Sequence, residues 1–229
     1  MGVEEERVFL RYYGKDLDQL PPTLSTGKLR SEIHVPENSK VVGMVAYMYP
    51  PKRYLGHRRG IKGHEDLIDA LKICLDEGAN VAGVFVGGGT KPGHPYERRV
   101  RGYAAERLGE RGIFLGNRND VPELYPEFDV AVHPSHSENQ GGAAESLLLQ
   151  IPTIATDVGG FPDIVHPGIT GELVPARDPS RLAEAILSTL DNPERSKKMA
   201  MQGAMVMREI GDAKKNAAKV LNTYQEILS

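Results

Sequence analysis

Short apolar runs rich in β-branched residues alternate with helical periodicity along most of the chain, and this alternation narrows the fold more than any other feature. The runs are Lys40–Tyr47, Val81–Val86, Ile113–Leu115, Asp129–His133, Thr153–Thr156 and Glu172–Val174. Most are apolar nearly throughout, as expected for strands buried on both faces of a sheet. Between them lie helical patterns. Glu65–Asp76 carries Leu67, Ile68, Leu71, Ile73 and Leu75; Tyr96–Leu108 is amphipathic and charged; Gly142–Gln150 is apolar nearly all round. Asp178-Pro179 supplies a cap and first turn for Arg181–Leu190, and Asn192-Pro193 repeats the device for the next helix. Ala213–Leu228 shows Val220, Leu221, Tyr224, Ile227 and Leu228 in one stripe. Strand alternating with helix predicts an α/β fold, a doubly wound parallel sheet with right-handed crossovers.

Residues 1–39 break the pattern. Gly14–Lys28 holds two consecutive prolines with several Thr, Ser and Gly, and reads as linker; a strand over Val8–Tyr13 has no obvious partner. The expected organisation is a linker and extension over 1–39 and one Rossmann-like domain with C-terminal helices over 40–229.

Charge and cysteine usage exclude several classes. With 28 Lys and Arg against 31 Asp and Glu, the chain has no global attraction for nucleic acid or an anionic membrane. A single cysteine, Cys74, rules out an internal disulfide framework and a Cys-rich zinc site, and fits a reducing, cytoplasmic setting. The acidic start Met1–Glu6 is unlike a secretory leader. No apolar run approaches the ~18 residues of a membrane span.

Ligands of open parallel sheets lie beyond the C-terminal ends of the strands. The segment after the first strand, Met48–Gly63, contains Lys52, Arg53, Arg58, Arg59 and Lys62 and no acid, which suggests a multiply charged anion. Lys62, just before a helix start, is the best phosphate candidate, with Arg58 or Arg59 able to make forked contacts. Gly116-Asn117-Arg118-Asn119 follows the third strand, Pro134–Gly142 the fourth and Asp157–Gly160 the fifth. Gly141-Gly142 leaves first-turn N–H groups approachable by a ligand, or merely makes a sharp turn. Glu145 is the one charge in an apolar helix and must be paired, hydrogen-bonded or face a cleft. With Glu138 in the preceding loop it forms a carboxylate pair suited to vicinal hydroxyls, or to acid–base hydrolysis of a glycoside.

Weaker patterns stay subordinate. Gly87-Gly88-Gly89-Thr90-Lys91 fails both the P-loop and the dinucleotide fingerprint. Asp16-Leu17-Asp18 lies in the linker. His133, His136 and Glu138 lack a clear fourth metal ligand, and Ser135, His136 and Asp157 lack the nucleophile-elbow sequence of a hydrolase triad.

The stretch Pro-Ser-His-Ser-Glu-Asn-Gln-Gly-Gly-Ala-Ala-Glu-Ser from Pro134, followed by Pro-Thr-Ile-Ala-Thr-Asp-Val-Gly-Gly-Phe-Pro-Asp-Ile-Val from Pro152, closely resembles the family-4 retaining glycosyltransferases, which are two-Rossmann-domain (GT-B) enzymes using nucleotide-sugar donors. The likeness continues through Gly168–Pro175 and is specific over 134–175; Asp178-Pro179, Gly60–His64 and Gly14–Leu17 extend it, loosely, to residues 8–228. The resemblance implies that Glu138 contacts the transferred sugar as the catalytic carboxylate. It implies that Glu145 holds the ribose, that Lys62 holds the diphosphate and that Gly116–Asn119, including Asn117 and Arg118, lies beside the base. Arg59 or Arg58 would take over from an arginine that Tyr47 replaces, and Gly141 and Gly142 would open the donor helix. The spacing between the glutamates is one residue shorter than usual. No metal or other cofactor is implied. The partners implied are a nucleotide-sugar donor, a glycan, lipid or small-molecule acceptor, and an N-terminal Rossmann domain absent from this sequence. Two other readings remain: a silent module that binds nucleotide-sugar and pairs with a separate half, and a nucleotide-sugar epimerase.

Overall fold

The computed structural model describes residues 8–9, 12, 14–20, 24–36, 38–91 and 93–228. Its strands are β1 (Lys40–Val45), β2 (Val81–Val86), β3 (Gly112–Gly116), β4 (Val130–His133), β5 (Thr153–Thr156) and β6 (Glu172–Val174). Its helices are α1 (Lys28–Glu32), α2 (His64–Asp76), α3 (Pro95–Leu108), α4 (Val121–Leu124), α5 (Gly141–Leu148), α6 (Pro179–Asp191), α7 (Pro193–Ile210) and α8 (Ala213–Leu228). Every strand pair is parallel, in the order β3-β2-β1-β4-β5-β6. This is the doubly wound parallel sheet that the alternation predicts.

Side-chain alternation splits the core. Val42 and Met44 of β1, with Val81 and Phe85 of β2, pack against α2, α3 and α6. Val41, Val84 and Val86 point the other way, towards Leu29 of α1, Leu124 of α4, and Tyr125 and Phe128 just beyond it. The period of two makes one apolar run serve both layers. Glycine sits where a facing side chain needs the room: a Cβ on Gly43 would lie 2.2 Å from the Phe128 ring. A third cluster joins α5 to Phe161, Ile164, Val165 and Met207.

Some bounds differ from the sequence reading. β1 ends at Val45, and α5 runs from Gly141 to Leu148 because Gln150, at φ 59°, turns the chain out of the helix. Lys28–Glu32 is a helix at the edge of the segment read as linker. It closes the sheet's second face with Leu29, which is fully buried. Residues 10, 11 and 13 of the strand read at Val8–Tyr13 lie outside the described residues; Val8, Phe9 and Tyr12 are not in a strand. Gly14–Asp16 docks by backbone: Lys15 N–H donates to Gly211 O at 2.8 Å and Ala213 N–H to Lys15 O at 3.1 Å. Among the described residues no helix is long and apolar enough to cross a membrane.

The sequence leaves β1 towards β2 and β3 on one side, then returns through β4 towards β5 and β6 on the other. The two halves diverge between β1 and β4, leaving a crevice at their C-terminal ends, the place where such sheets bind ligands.

Candidate functional site

A cavity of 340 Å³ fills that crevice. Val45, Ala46, Tyr47 and Tyr49 come from the end of β1, Gly87 from β2, Asn117 and Arg118 from β3, and His133 and Ser135 from β4. Lys62, Glu138, Gly141, Gly142 and Glu145 add the polar and glycine part of the wall. Seven of the eight residues singled out in the sequence thus share one cavity; Arg59 is the exception.

Arg59 is corrected by the helix that follows it. Its guanidinium donates to Asp66 at 2.5 Å and to Asp69 at 2.6 Å, both on α2 and both shielded from solvent. The basic loop carries no acid of its own, but the next helix supplies both of these; its Glu65 instead accepts from the Tyr96 hydroxyl at 2.7 Å and pairs with Arg99 at 3.5 Å. Arg59 is therefore withdrawn from the cavity into an intramolecular network. Arg58 lies on an exposed hollow with Arg53 and His57, also away from the cavity.

Lys62 and Glu138 meet at the cavity wall as an ion pair, their side chains 21 % and 12 % exposed. Glu138 also accepts from the Ser135 hydroxyl at 3.3 Å and from the Asn139 N–H at 3.0 Å. The loop carrying Glu138 is backed by the Gly159-Gly160 turn. A Cβ on Gly159, at φ 56°, would lie 1.8 Å from the Glu138 carbonyl oxygen. That pair of glycines supports the site from behind.

Gly141 and Gly142 have different reasons to be glycine. A Cβ on Gly142 would stand 2.8 Å from Nδ1 of the buried His133 ring, so its bareness makes room for a side chain. A Cβ on Gly141 would meet nothing closer than Asn139 Oδ1 at 3.6 Å. Gly142→Ala should therefore lower the melting temperature, while Gly141→Ala should leave it unchanged and be felt, if at all, in ligand binding. Thermal unfolding of both variants checks this.

Glu145, one turn into α5, pairs with Lys15 of the docked segment. Arg118 donates to both oxygens of Asp120, at 2.7 and 2.8 Å, and to Glu32 of α1 at 2.6 Å. These hydrogen bonds, those to Asp120 first, raise its pKa further and leave its planar face as the surface it can offer. Tyr47 and Tyr49, in edge contact at 6.3 Å between centroids and each about half exposed, are rim aromatics to which the sequence reading gave no binding role. Only their place at the end of an apolar run could have marked them.

The other sequence patterns come apart. His136 bonds Asp66, Ser135 bonds Glu138, and His133 shares a hydrogen bond with Ser146 Oγ at 3.0 Å, so neither a triad nor a His–His–Glu metal set forms. Among the described residues no group of three or more His, Cys, Asp and Glu is placed to hold a metal ion.

Burial lowers the pKa of His133 to about 4 and, by the same cause, that of His64 to about 4. Both are neutral in the fold, whereas in the unfolded chain they take up protons near pH 6.5. The unfolded state therefore binds more protons between pH 6.5 and 4, and stability falls as pH drops through that window. At pH 5 the loss is roughly 2 kcal/mol for each histidine. Urea midpoints at pH 7.5 and 5, at constant salt, should differ accordingly; equal midpoints would contradict the neutral assignment.

Comparison with known proteins places this chain in a family. Glycosyl transferases group 1 matches over residues 34–205, most of the chain, and the chain belongs to that family. It is 31% identical over 182 residues to a D-inositol 3-phosphate glycosyltransferase of Corynebacterium jeikeium (strain K411), covering 76% of this chain and 41% of that protein. It is 30% identical over 157 residues to the lipopolysaccharide core biosynthesis mannosyltransferase LpsB of Rhizobium meliloti (strain 1021), covering 64% of this chain and 44% of LpsB. The chain thus spans less than half the length of either relative. Among solved structures it is similar to Anabaena Alr3699/HepE in complex with UDP-glucose, with a TM-score of 0.80 and 25% identity over 98% of this chain and 59% of that one.

Proposed function

We propose that this chain binds the nucleotide diphosphate-sugar donor of a retaining glycosyltransferase of glycan or glycoconjugate biosynthesis, and forms the donor half of that enzyme. The observation that carries the reading is the meeting of Lys62, Glu138 and Glu145 around the first turn of α5 in the β1/β4 crevice. Lys62 faces the diphosphate. The opening N–H groups of α5 add positive potential where leaving-group charge develops, a preorganised electrostatic role that requires no metal. Glu145 accepts from ribose hydroxyls, and Glu138 faces the transferred sugar. Asn117 and the flat face of Arg118 border the base. The names of two relatives, a lipopolysaccharide core biosynthesis mannosyltransferase and a D-inositol 3-phosphate glycosyltransferase, support a glycan, lipid or small-molecule acceptor as the partner class.

Calorimetric titration with UDP, GDP, ADP and NAD tests the reading. One nucleoside diphosphate should bind, and Glu145→Ala should weaken it. Binding of NAD alone, or of none, would overturn it. The isolated chain should transfer sugar poorly, because one wall cannot orient both substrates.

A second reading, an assembly module that pairs with a separate half, is favoured by α8. Val220, Leu221, Tyr224, Ile227 and Leu228 are exposed along it, and Asn216 is its one buried residue. Sedimentation that shows self-association, lost in Tyr224→Ala, would support that module; a monomer at all concentrations would count against it.

A further inference from the structure

Lys62 and Glu138 lie on different loops, 76 positions apart, and neither loop is held by regular secondary structure at the point where they meet. What fixes their separation lies behind the cavity wall. The His136 N–H donates to Ile61 O at 2.7 Å, joining the two loops one residue before Lys62 and two before Glu138. The His136 imidazole bonds Asp66 through Nε2; a carboxylate accepts, so Nε2 carries the hydrogen. Both side chains are nearly excluded from solvent, at 2 % and 4 % exposure. The second oxygen of Asp66 is held by Arg59, which is anchored in turn on Asp69. Gly63 closes the seam: its Cα lies so close to Pro134 that a Cβ would stand 1.9 Å from the Pro134 carbonyl oxygen. None of His136, Asp66 and Arg59 lines the cavity.

We infer that His136 is a positioning residue: braced by Asp66 and Arg59, it latches the Glu138 loop to the Lys62 loop and so sets the geometry in which both face a bound diphosphate-sugar. The inference rests on the donor-site reading above and adds to it a chain of side chains outside the cavity lining, buried at His136 and Asp66. A carboxylate shared by a guanidinium and an imidazole is suited to this task. Its hydrogen bonds are directional, the one to His136 is shielded from water, and Asp66 in the first turn of α2 ties the loops to a rigid element.

A double-mutant cycle with UDP and GDP as probes tests it. Affinities are measured for the wild type, His136→Ala, Lys62→Ala and the double variant, with His136→Gln as the conservative change whose amide can still donate to Asp66. His136→Ala should weaken the nucleotide that binds by about tenfold, with His136→Gln recovering most of the loss. In the Lys62→Ala background His136→Ala should cost almost nothing, because it acts through Lys62. Asp66→Asn, which keeps shape and removes charge, should follow His136→Ala and carries the test if that variant does not fold. A loss of mere stability would be additive with Lys62→Ala and would not be rescued by glutamine, and that result would overturn the inference while leaving the donor site standing. If neither UDP nor GDP binds the wild type, the donor reading fails and the inference fails with it.

Discussion

Lys62→Ala should weaken nucleoside diphosphate binding by roughly 10- to 150-fold, the range of ~1.5–3 kcal/mol for a hydrogen bond to a charged group. Among the described residues the cavity wall carries two cations, Lys62 and Arg118. Arg118 is spent on Asp120 and Glu32, and Arg59 on Asp66 and Asp69. On the proposed reading Lys62 is therefore the cation on which a diphosphate depends, and its own partner, Glu138, competes with the diphosphate for it. Removing that competition should act in the opposite direction: Glu138→Gln should tighten the nucleoside diphosphate severalfold at low salt, because Lys62 no longer exchanges one anion for another. Titration of both variants, with thermal unfolding to show that each is folded, checks the pair. Equal affinities across wild type, Lys62→Ala and Glu138→Gln would remove Lys62 from the site.

The second large effect is on stability. Gly63 holds φ 73°, and an added Cβ would lie 1.9 Å from a carbonyl oxygen of Pro134, a backbone atom that cannot rotate away. Left-handed strain costs about 1–2 kcal/mol for an ordinary residue. The clash adds to it, so Gly63→Ala should cost more than about 3 kcal/mol. For a chain of this size that is a fall in melting temperature of roughly 6–12 °C or more. Gly78 provides the control. Its φ is 87°, but a Cβ there meets nothing within 4 Å, so Gly78→Ala should show the strain alone. Similar losses for both would mean that the Gly63–Pro134 approach is not a real constraint.

The sheet was legible because β-branched runs such as Val81–Val86 carry their burial in their composition. Lys28–Glu32 and Val121–Leu124 were not, because helices of one turn have no period to read. The polar cluster around α5 was legible because the fold class says where strand ends converge. Arg59 was misplaced because a charged loop was judged by its own residues, while its counter-ions begin three residues further, inside α2. The pairing of Lys15 with Glu145 and of His136 with Asp66 joins positions 130 and 70 apart; such contacts follow from how elements dock and leave no local signal. Gly142 reads in the sequence as an opening for a ligand or as a sharp turn; the His133 ring, 2.8 Å from where a Cβ would stand, is a second reason for glycine there that leaves no local signal.

The most direct test of the donor site is to map backbone amide shifts of the labelled chain by NMR as UDP or GDP is added. The account predicts that the largest changes fall on Lys62, Asn117, Gly141 and Gly142, from three separate loops around the β1/β4 crevice. Changes centred instead on the exposed arginines at 53 and 58, or no saturable change with either nucleotide, would contradict it.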